Sequence, residues 1–148
     1  MNPVTFEEIL SEHKLLVYKT EGTSMRPMLR QNRDLVHIVP PAGHLKKYDV
    51  ALYRRTNGQY VLHRVIKVEK DGYGIRGDNC VGTEQVPEEQ VLGVLTAFQR
   101  NGKTRPVTAL GYRLYVRLWC WLYPLRYAYK LARGLGGRIK QKIQGAQR

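Results

Sequence analysis

Short segments rich in β-branched and aromatic residues follow one another from residue 15 to residue 107, and turn signals separate them. The clearest of them read RDLVHIVP, YDVALYRR, QYVLHRVIKVEK and GYGIRGD. Segments of this length and composition are typical of β-strands. The Asn57-Gly58 and Asp71-Gly72 pairs are favoured in two-residue hairpin turns. The pattern predicts a mainly β protein built on a small antiparallel coiled sheet or open barrel.

A short helix is expected before the first strand. Thr5 and Glu8 have the spacing of a capping box, in which each side chain accepts a hydrogen bond from the backbone of the other. Phe6 and Leu10 then supply an apolar face. We expect this N-terminal helix to end near His13.

The positive charge is concentrated toward the C-terminal end of the chain. The formal net charge is +13, and residues 91–148 carry 12 Lys/Arg with no Asp or Glu. From Leu110 onward, leucine, tryptophan and tyrosine recur at helical spacing with basic residues between them. The sequence therefore predicts a β domain at residues 1–107 and a basic amphipathic helical tail at residues 108–148. Pro124 should kink or split the tail helix, and the glycines of residues 134–137 should end it.

The basic tail is compatible with more than one partner. Tryptophan and tyrosine prefer the lipid interface and arginine favours anionic headgroups, so residues 109–133 are expected to contact an anionic membrane surface. Docking on the β domain or on a partner protein is a second reading. Nucleic acid is the least favoured partner, because the basic residues are spaced among leucines rather than gathered in a patch.

The cysteine content and the N-terminal residues point to the cytoplasmic side of a membrane. Cys80 and Cys120 make no disulfide framework and fit a reducing compartment. The first residues, MNPVTFEEILSEHK, are acidic and polar, unlike a signal peptide. No apolar run reaches the roughly eighteen residues that span a bilayer. We expect a cytoplasmic protein, peripheral at the inner membrane face if the tail binds lipid, with neither a cofactor nor a metal.

Three separate segments contain the residue types that nucleophilic catalysis needs. GTSMRPML places Ser24 between Gly22 and Pro27, which can hold a hydroxyl rigidly in the open or form an ordinary surface turn. YVLHRVIKV places His63 within a predicted strand, and GYGIRGDNC places Asp78 just after one. A serine hydroxyl is a poor nucleophile until a nearby base takes its proton, so the residues of the three segments by themselves leave both interpretations of Ser24 open.

In this order and spacing, residues 20 to about 95 resemble the signal peptidase I family and its relatives, the self-cleaving repressors of the LexA type. In that family a Ser-Met-x-Pro box carries the nucleophile, a basic residue before Arg-Val is the base, and a Gly-Asp-Asn box closes the site. Many members have lysine as the base. Here His63 stands at that place, as in the endoplasmic-reticulum and archaeal type of signal peptidase and its counterparts in sporulating bacteria.

The resemblance implies a serine endopeptidase with Ser24 as nucleophile and His63 as general base. An acid that orients the imidazole would be Asp78, in the Gly-Asp-Asn box, or Glu84, six residues on. Asp78 is preferred, because its hairpin is expected to lie beside the strand that bears His63. The oxyanion hole would use the Ser24 backbone N–H and the N–H or hydroxyl of Thr23, since Gly22 replaces the serine of lysine-type members. Met25 follows the nucleophile, where family members often line the substrate pocket.

The expected substrate is an extended peptide or precursor protein, added as a strand beside the site. A self-cleaving regulator of the repressor type is the main alternative. It is disfavoured because about twenty residues before Ser24 leave no room for a helix-turn-helix, and because Ala42-Gly43, the pair that could be cut, follows Ser24. A non-catalytic β scaffold that delivers peptides is a third reading. The intact Ser24 and His63 argue against it.

Overall fold

The computed structural model of the chain describes residues 3–145, with side chains described as far as residue 138. The helices are α1 (Phe6–His13), α2 (Leu110–Trp121) and α3 (Tyr123–Gly145), and one short 3-10 helix spans Glu88–Gln90. The strands are β1 (Leu16–Lys19), β2 (Asp34–Val39), β3 (Val50–Arg54), β4 (Tyr60–Val68), β5 (Gly72–Arg76), β6 (Glu84–Pro87), β7 (Val91–Arg100) and β8 (Lys103–Pro106).

All eight strands belong to one antiparallel sheet with the order β1-β2-β7-β3-β4-β5-β6, and β8 pairs with β7. A capping box begins α1, as predicted: Thr5 N donates to Glu8 Oε2 at 2.7 Å, and Glu8 N donates to Thr5 Oγ1 at 3.3 Å. The predicted fold class is confirmed: a mainly β sheet with a short N-terminal helix and C-terminal helices.

Two predicted hairpins position the site. The Asn57-Gly58 turn joins β3 to β4, with Gly58 at φ +87°, a left-handed conformation that favours glycine. The resulting register places Ala51 opposite His63. A second hairpin joins β4 to β5, which pair from Arg64 opposite Arg76 onward, but its turn is centred on Lys70 and Asp71, and Gly72 already belongs to β5.

Strand β6 is the element that the sequence does not reveal. Its residues, Glu84–Pro87, lie in the segment CVGTEQVPEE, which lacks a run of β-branched or aromatic residues. Pairing with β5 makes it a strand, and Ile75 lies opposite Glu84 in that pairing. Tertiary contact therefore decides this element rather than local propensity.

One cluster of the hydrophobic core lies on one face of the central strands, and the opposite face is buried as well, at Val50, Leu52 and Leu62. The members of this cluster, all buried, come from β3, β4, β5, β6 and the β2–β3 connection: Leu45, Ala51, Tyr53, Val61, Val65, Tyr73, Ile75 and Val86. Side chains two apart on a strand share a face. His63 and Val65 therefore lie on the same side of β4, and the core packs directly beside the imidazole.

The chain divides into two compact units, Met1–Arg113 and Leu114–Arg148, whereas the sequence predicted a boundary at residue 107. In the second unit α2 gives way to α3 at Leu122, close to Pro124.

The expectation that the glycines at 134–137 end the helix is wrong, because α3 continues to Gly145. None of these glycines takes the left-handed conformation of a helix-ending glycine, and a glycine inside a helix costs only about 1 kcal/mol. Within residues 3–145, no helix has both the length and the apolarity required to cross a membrane.

Candidate active site

Ser24 lies in the connection between β1 and β2, with its side chain half-buried. Gly22 precedes it at φ +75°, so the chain makes the sharp turn that the sequence predicted. The turn is closed by Arg26 N, which donates to Thr23 O at 3.1 Å. Met25, the next residue, is 5% exposed, so a buried side chain helps to anchor the segment that carries the hydroxyl.

The Gly77-Asp78-Asn79 turn holds the Ser24 turn in place. Asn79 donates its backbone N–H to Ser24 O at 2.7 Å and its side-chain Nδ2 to Thr23 O at 3.2 Å. Two segments more than fifty residues apart in sequence are thereby joined. Loops are ordinarily the mobile parts of a fold, and these hydrogen bonds fix the backbone of this one.

His63 borders the same place from β4. Its side chain is 7% exposed. A Cβ built on Gly77 would lie 2.7 Å from Ser24 O and 3.1 Å from His63 Nε2. The serine backbone and the imidazole thus approach Gly77 closely, and only a residue without a side chain fits there. The structure brings Ser24 and His63, two residues chosen from the sequence, to one location.

The other imidazole nitrogen of His63 meets a chain of polar groups. His63 Nδ1 lies 3.4 Å from Tyr53 Oη, and Tyr53 Oη donates to Glu84 Oε2 at 3.1 Å. Because the tyrosine proton goes to Glu84, the tyrosine oxygen can accept the Nδ1 proton of His63. This hydrogen-bonding pattern assigns the tautomer in which Nδ1 carries the proton. The unprotonated Nε2 then faces Gly77 and the Ser24 turn.

The burial of His63 keeps the imidazole neutral. Desolvation lowers the pKa of His63 below its ordinary 6.5, the nearby Glu84 carboxylate raises it, and Arg55 lowers it again. The net direction is downward. A neutral imidazole at pH 7 has a free lone pair on Nε2 and can accept a proton.

Glu84 is held as a carboxylate by Arg55. The Arg55 guanidinium makes a bidentate ion pair with it, through Nε at 3.0 Å from Oε2 and through Nη2 on Oε1. These hydrogen bonds lower the pKa of Glu84, and the Tyr53 hydroxyl adds to the effect. Burial in turn raises the pKa of Tyr53, so the tyrosine keeps its proton. Tyr53 therefore connects the charged Glu84 to the neutral His63.

Asp78 contacts the residue that follows His63. Its Oδ1 accepts from Arg64 Nε at 2.7 Å and its Oδ2 accepts from Arg64 Nη2 at 2.8 Å, in a pair that is almost fully buried. Neighbouring residues on a strand point to opposite faces, so Arg64 leaves the face that carries His63. Arg64 also donates to Tyr48 O and to Tyr112 Oη. The orienting role expected of Asp78 stays a prediction, while its pairing with Arg64 is a structural contact.

A cleft of about 880 Å³ runs past these groups. Ser24, His63, Thr23 and Met25 all line it. Aromatic side chains from three elements, Phe6, Tyr18 and Tyr60, line it as well, with Phe6 ring centroids 5.0 Å from Tyr18 and 4.6 Å from Tyr60. The candidate nucleophile and base therefore open into a space large enough for a short peptide segment.

Sequence reasoning missed several residues that build this site, namely Tyr53, Arg55, Arg64 and Gly77. Tyr53 was missed because a two-residue Asn57-Gly58 turn would place Leu52 opposite His63, whereas the observed connection, residues 55–59, places Ala51 there and brings Tyr53 diagonally across from His63. The Arg55–Glu84 pair could not be predicted from the sequence either, because it depends on the position of β6. Gly77 gave only a weak signal as part of the Gly-Asp-Asn box.

No known family model matches this chain, and neither does any curated protein to a significant degree. The family resemblance of the three motifs therefore stays a prediction. Among the residues that the structure describes, no group of three or more His, Cys, Asp or Glu side chains could hold a metal ion. Neither Cys80 nor Cys120 is part of a disulfide bond.

Proposed function

We propose that this protein is a serine endopeptidase in which Ser24 is the nucleophile and His63 the general base. One observation carries the proposal: the Ser24 turn and His63 Nε2 meet beside Gly77, on the wall of one cleft. A serine hydroxyl gains nucleophilicity from an adjacent base, and here the buried, neutral imidazole is that base.

In the proposed reaction, Ser24 Oγ attacks the carbonyl carbon of a peptide bond while His63 Nε2 takes the hydroxyl proton. The resulting imidazolium gives this proton to the leaving amine, and an acyl-enzyme ester remains. Water then attacks the ester with His63 again as base, which releases the acid and restores the serine. The Ser24 N–H and the N–H or hydroxyl of Thr23, which is exposed in the cleft, would stabilise the oxyanion.

Tyr53 and Glu84 act as positioning residues in this proposal. When His63 becomes positively charged, the ionised Glu84 stabilises it through the Tyr53 hydroxyl. The same bridge holds the Nδ1 proton in place, so that Nε2 faces the substrate side. Glu84 was one of two acids considered from the sequence, and its contacts support it as the acid that serves His63.

The substrate that fits this cleft is an extended peptide. β1 is the terminal strand of the sheet, and the residues that follow it line the cleft up to Ser24. β5 pairs with β4 only from Arg64 onward, so among the described strands the segment Tyr60–His63 pairs with β3 alone. A strand-like substrate can therefore hydrogen-bond to backbone at either border of the cleft.

The motif resemblance to the signal peptidase and LexA-like peptidases supports the same reaction, and the mainly β fold is compatible with it. We place the activity in the cytoplasm, on a precursor peptide or protein, because Cys80 and Cys120 form no disulfide bond, which fits a reducing compartment.

The test is the incubation of the purified protein with a defined mixture of unstructured peptides, followed by mass spectrometry of newly formed termini. The wild-type protein should produce discrete cuts, and Ser24→Ala should produce none. Ser11→Ala is the matched control, because Ser11 is an exposed serine on α1 outside the cleft, and it should cut as the wild type does. Equal cutting by the Ser24→Ala protein would contradict the proposal.

A further inference from the structure

A continuous stripe of large apolar side chains is exposed along α2 and α3. Its members repeat every three or four residues, which places them on one side of a helix. Their exposed fractions are 60% for Leu114, 58% for Leu118, 75% for Trp121, 68% for Leu125 and 62% for Tyr129. Single exposed apolar residues are ordinary, but a contiguous stripe of this kind marks an interaction surface.

The stripe is not interrupted where α2 gives way to α3. Leu122 N donates to Leu118 O at 2.9 Å, and Arg126 N donates to Leu122 O at 3.1 Å. These are the i to i−4 hydrogen bonds of an α-helix, so the helical spacing carries through the junction. Leu118 and Leu125 therefore belong to the same surface, which we call the apolar stripe (Leu114, Leu118, Trp121, Leu125 and Tyr129).

Cationic side chains flank the apolar stripe. Residues 114–138 contain five Lys/Arg and no Asp or Glu. Lys130 directly follows Tyr129 of the stripe and is exposed, as is Arg133. Consecutive residues lie about 100° apart around a helix axis. Lys130 therefore lies beside the stripe.

We propose that the apolar stripe docks on an anionic lipid surface and holds the protein there. Leucine supplies the apolar area, while tryptophan and tyrosine prefer the headgroup boundary. Basic residues near an anionic bilayer add electrostatic attraction, and this unit has no acidic residue between 114 and 138 to oppose it.

The charge of the unit disfavours the other occupants. Nucleic acid would engage the Lys and Arg side chains but leave the apolar stripe in water. A second copy of the chain would bring two sets of like charges together, which costs free energy. An anionic lipid surface satisfies the apolar stripe and the basic flank at once. The proposal is independent of the peptidase assignment, since it uses none of the residues of the cleft.

The experiment measures binding of the full chain to vesicles by co-sedimentation, comparing an anionic phosphatidylglycerol/phosphatidylcholine mixture with phosphatidylcholine alone. Binding should be strong on the anionic vesicles, weak on the neutral ones, and reduced by high salt. Leu118→Gln and Leu125→Gln should each weaken binding by about tenfold, because each removes the burial of one leucine. Leu15→Gln is the matched control. Leu15 lies in the first unit, outside the apolar stripe, and is 42% exposed, so this variant should bind as the wild type does.

A second pair of variants tests the charge. The double variant Lys130→Glu/Arg133→Glu should lose most of its preference for anionic over neutral vesicles. The double variant Lys103→Glu/Arg105→Glu has the same change of charge on the exposed β8 and should lose much less of that preference. Circular dichroism checks that each variant is folded. Equal binding by the stripe variants and the wild type would overturn the proposal. So would stripe-dependent self-association without vesicle binding, or stripe-dependent binding to a nucleic acid instead of vesicles.

Discussion

At the scale of single residues, two neighbours on β4 have different partners and different tasks. His63 faces the cleft and connects to Glu84 through Tyr53, while Arg64 points to the opposite face and pairs with Asp78. The alternation of side chains along a strand separates the two acids from each other. In this account Glu84 acts on the base, and Asp78 holds the turn that fixes Ser24.

We therefore expect the two acids to respond differently to loss of charge. Asp78→Asn should reduce the free energy of unfolding by about 3–5 kcal/mol, because it leaves the buried Arg64 without its counter-ion. Denaturant unfolding measures this change. Asp71→Asn is the matched control, since Asp71 is exposed in a turn where Asn-Gly is equally favoured, and it should change little.

Glu84→Gln should remain folded and lose about tenfold or more in cleavage rate, because the imidazolium loses its charge partner. Tyr53→Phe, which removes the bridging hydroxyl, should act in the same direction. If the Asp78→Asn protein is folded but inactive, and the Glu84→Gln protein is fully active, the orienting role belongs to Asp78 instead.

At the scale of elements, the site depends on the close approach of two connections. The β1–β2 connection carries Ser24 and the β5–β6 connection carries Gly77, and hydrogen bonds from Asn79 join them. Gly77 permits this approach because its missing side chain would point at Ser24 O and at Cys80 Sγ. The spacing between the two connections is therefore set by one glycine.

Gly77→Ala should consequently impair both stability and activity. The added Cβ would lie 2.7 Å from Ser24 O and 2.8 Å from Cys80 Sγ, so the Ser24 turn must move away. We expect a loss of about 1–3 kcal/mol in unfolding free energy, together with loss of cleavage. Gly82→Ala is the control, because a Cβ there meets no atom within 4 Å. An unchanged Gly77→Ala protein would contradict the proposed role of this contact.

The elements also show which parts of the fold the sequence can specify. The β3–β4 and β4–β5 hairpins both form near the predicted Asn57-Gly58 and Asp71-Gly72 pairs, but neither has the predicted two-residue turn at that pair. β6 has no local signal and becomes a strand only by pairing with β5, so it was missed. The helix end predicted at residues 134–137 failed because a glycine permits a helix end but does not require one.

At the scale of the whole molecule, the candidate site combines residues from three separate parts of the chain: the Ser24 turn, the β3–β4 hairpin and β6. Ser24 and His63 stand in short motifs, so the sequence identified them one by one. Tyr53 and Glu84 gain their roles only when β3 and β6 take their places in the same sheet. The sequence therefore predicted which strands are neighbours in the two hairpins, but not the register that brings Tyr53 close to His63.

The central claim is that Ser24 and His63 form one catalytic unit, and a double-mutant comparison of cleavage rates tests it most directly. On a peptide cut by the wild type, Ser24→Ala and His63→Ala should each lower kcat/KM by roughly 10³-fold or more, and the double variant should lose little further. Near-normal turnover by either single variant, or losses that simply multiply in the double variant, would contradict the account.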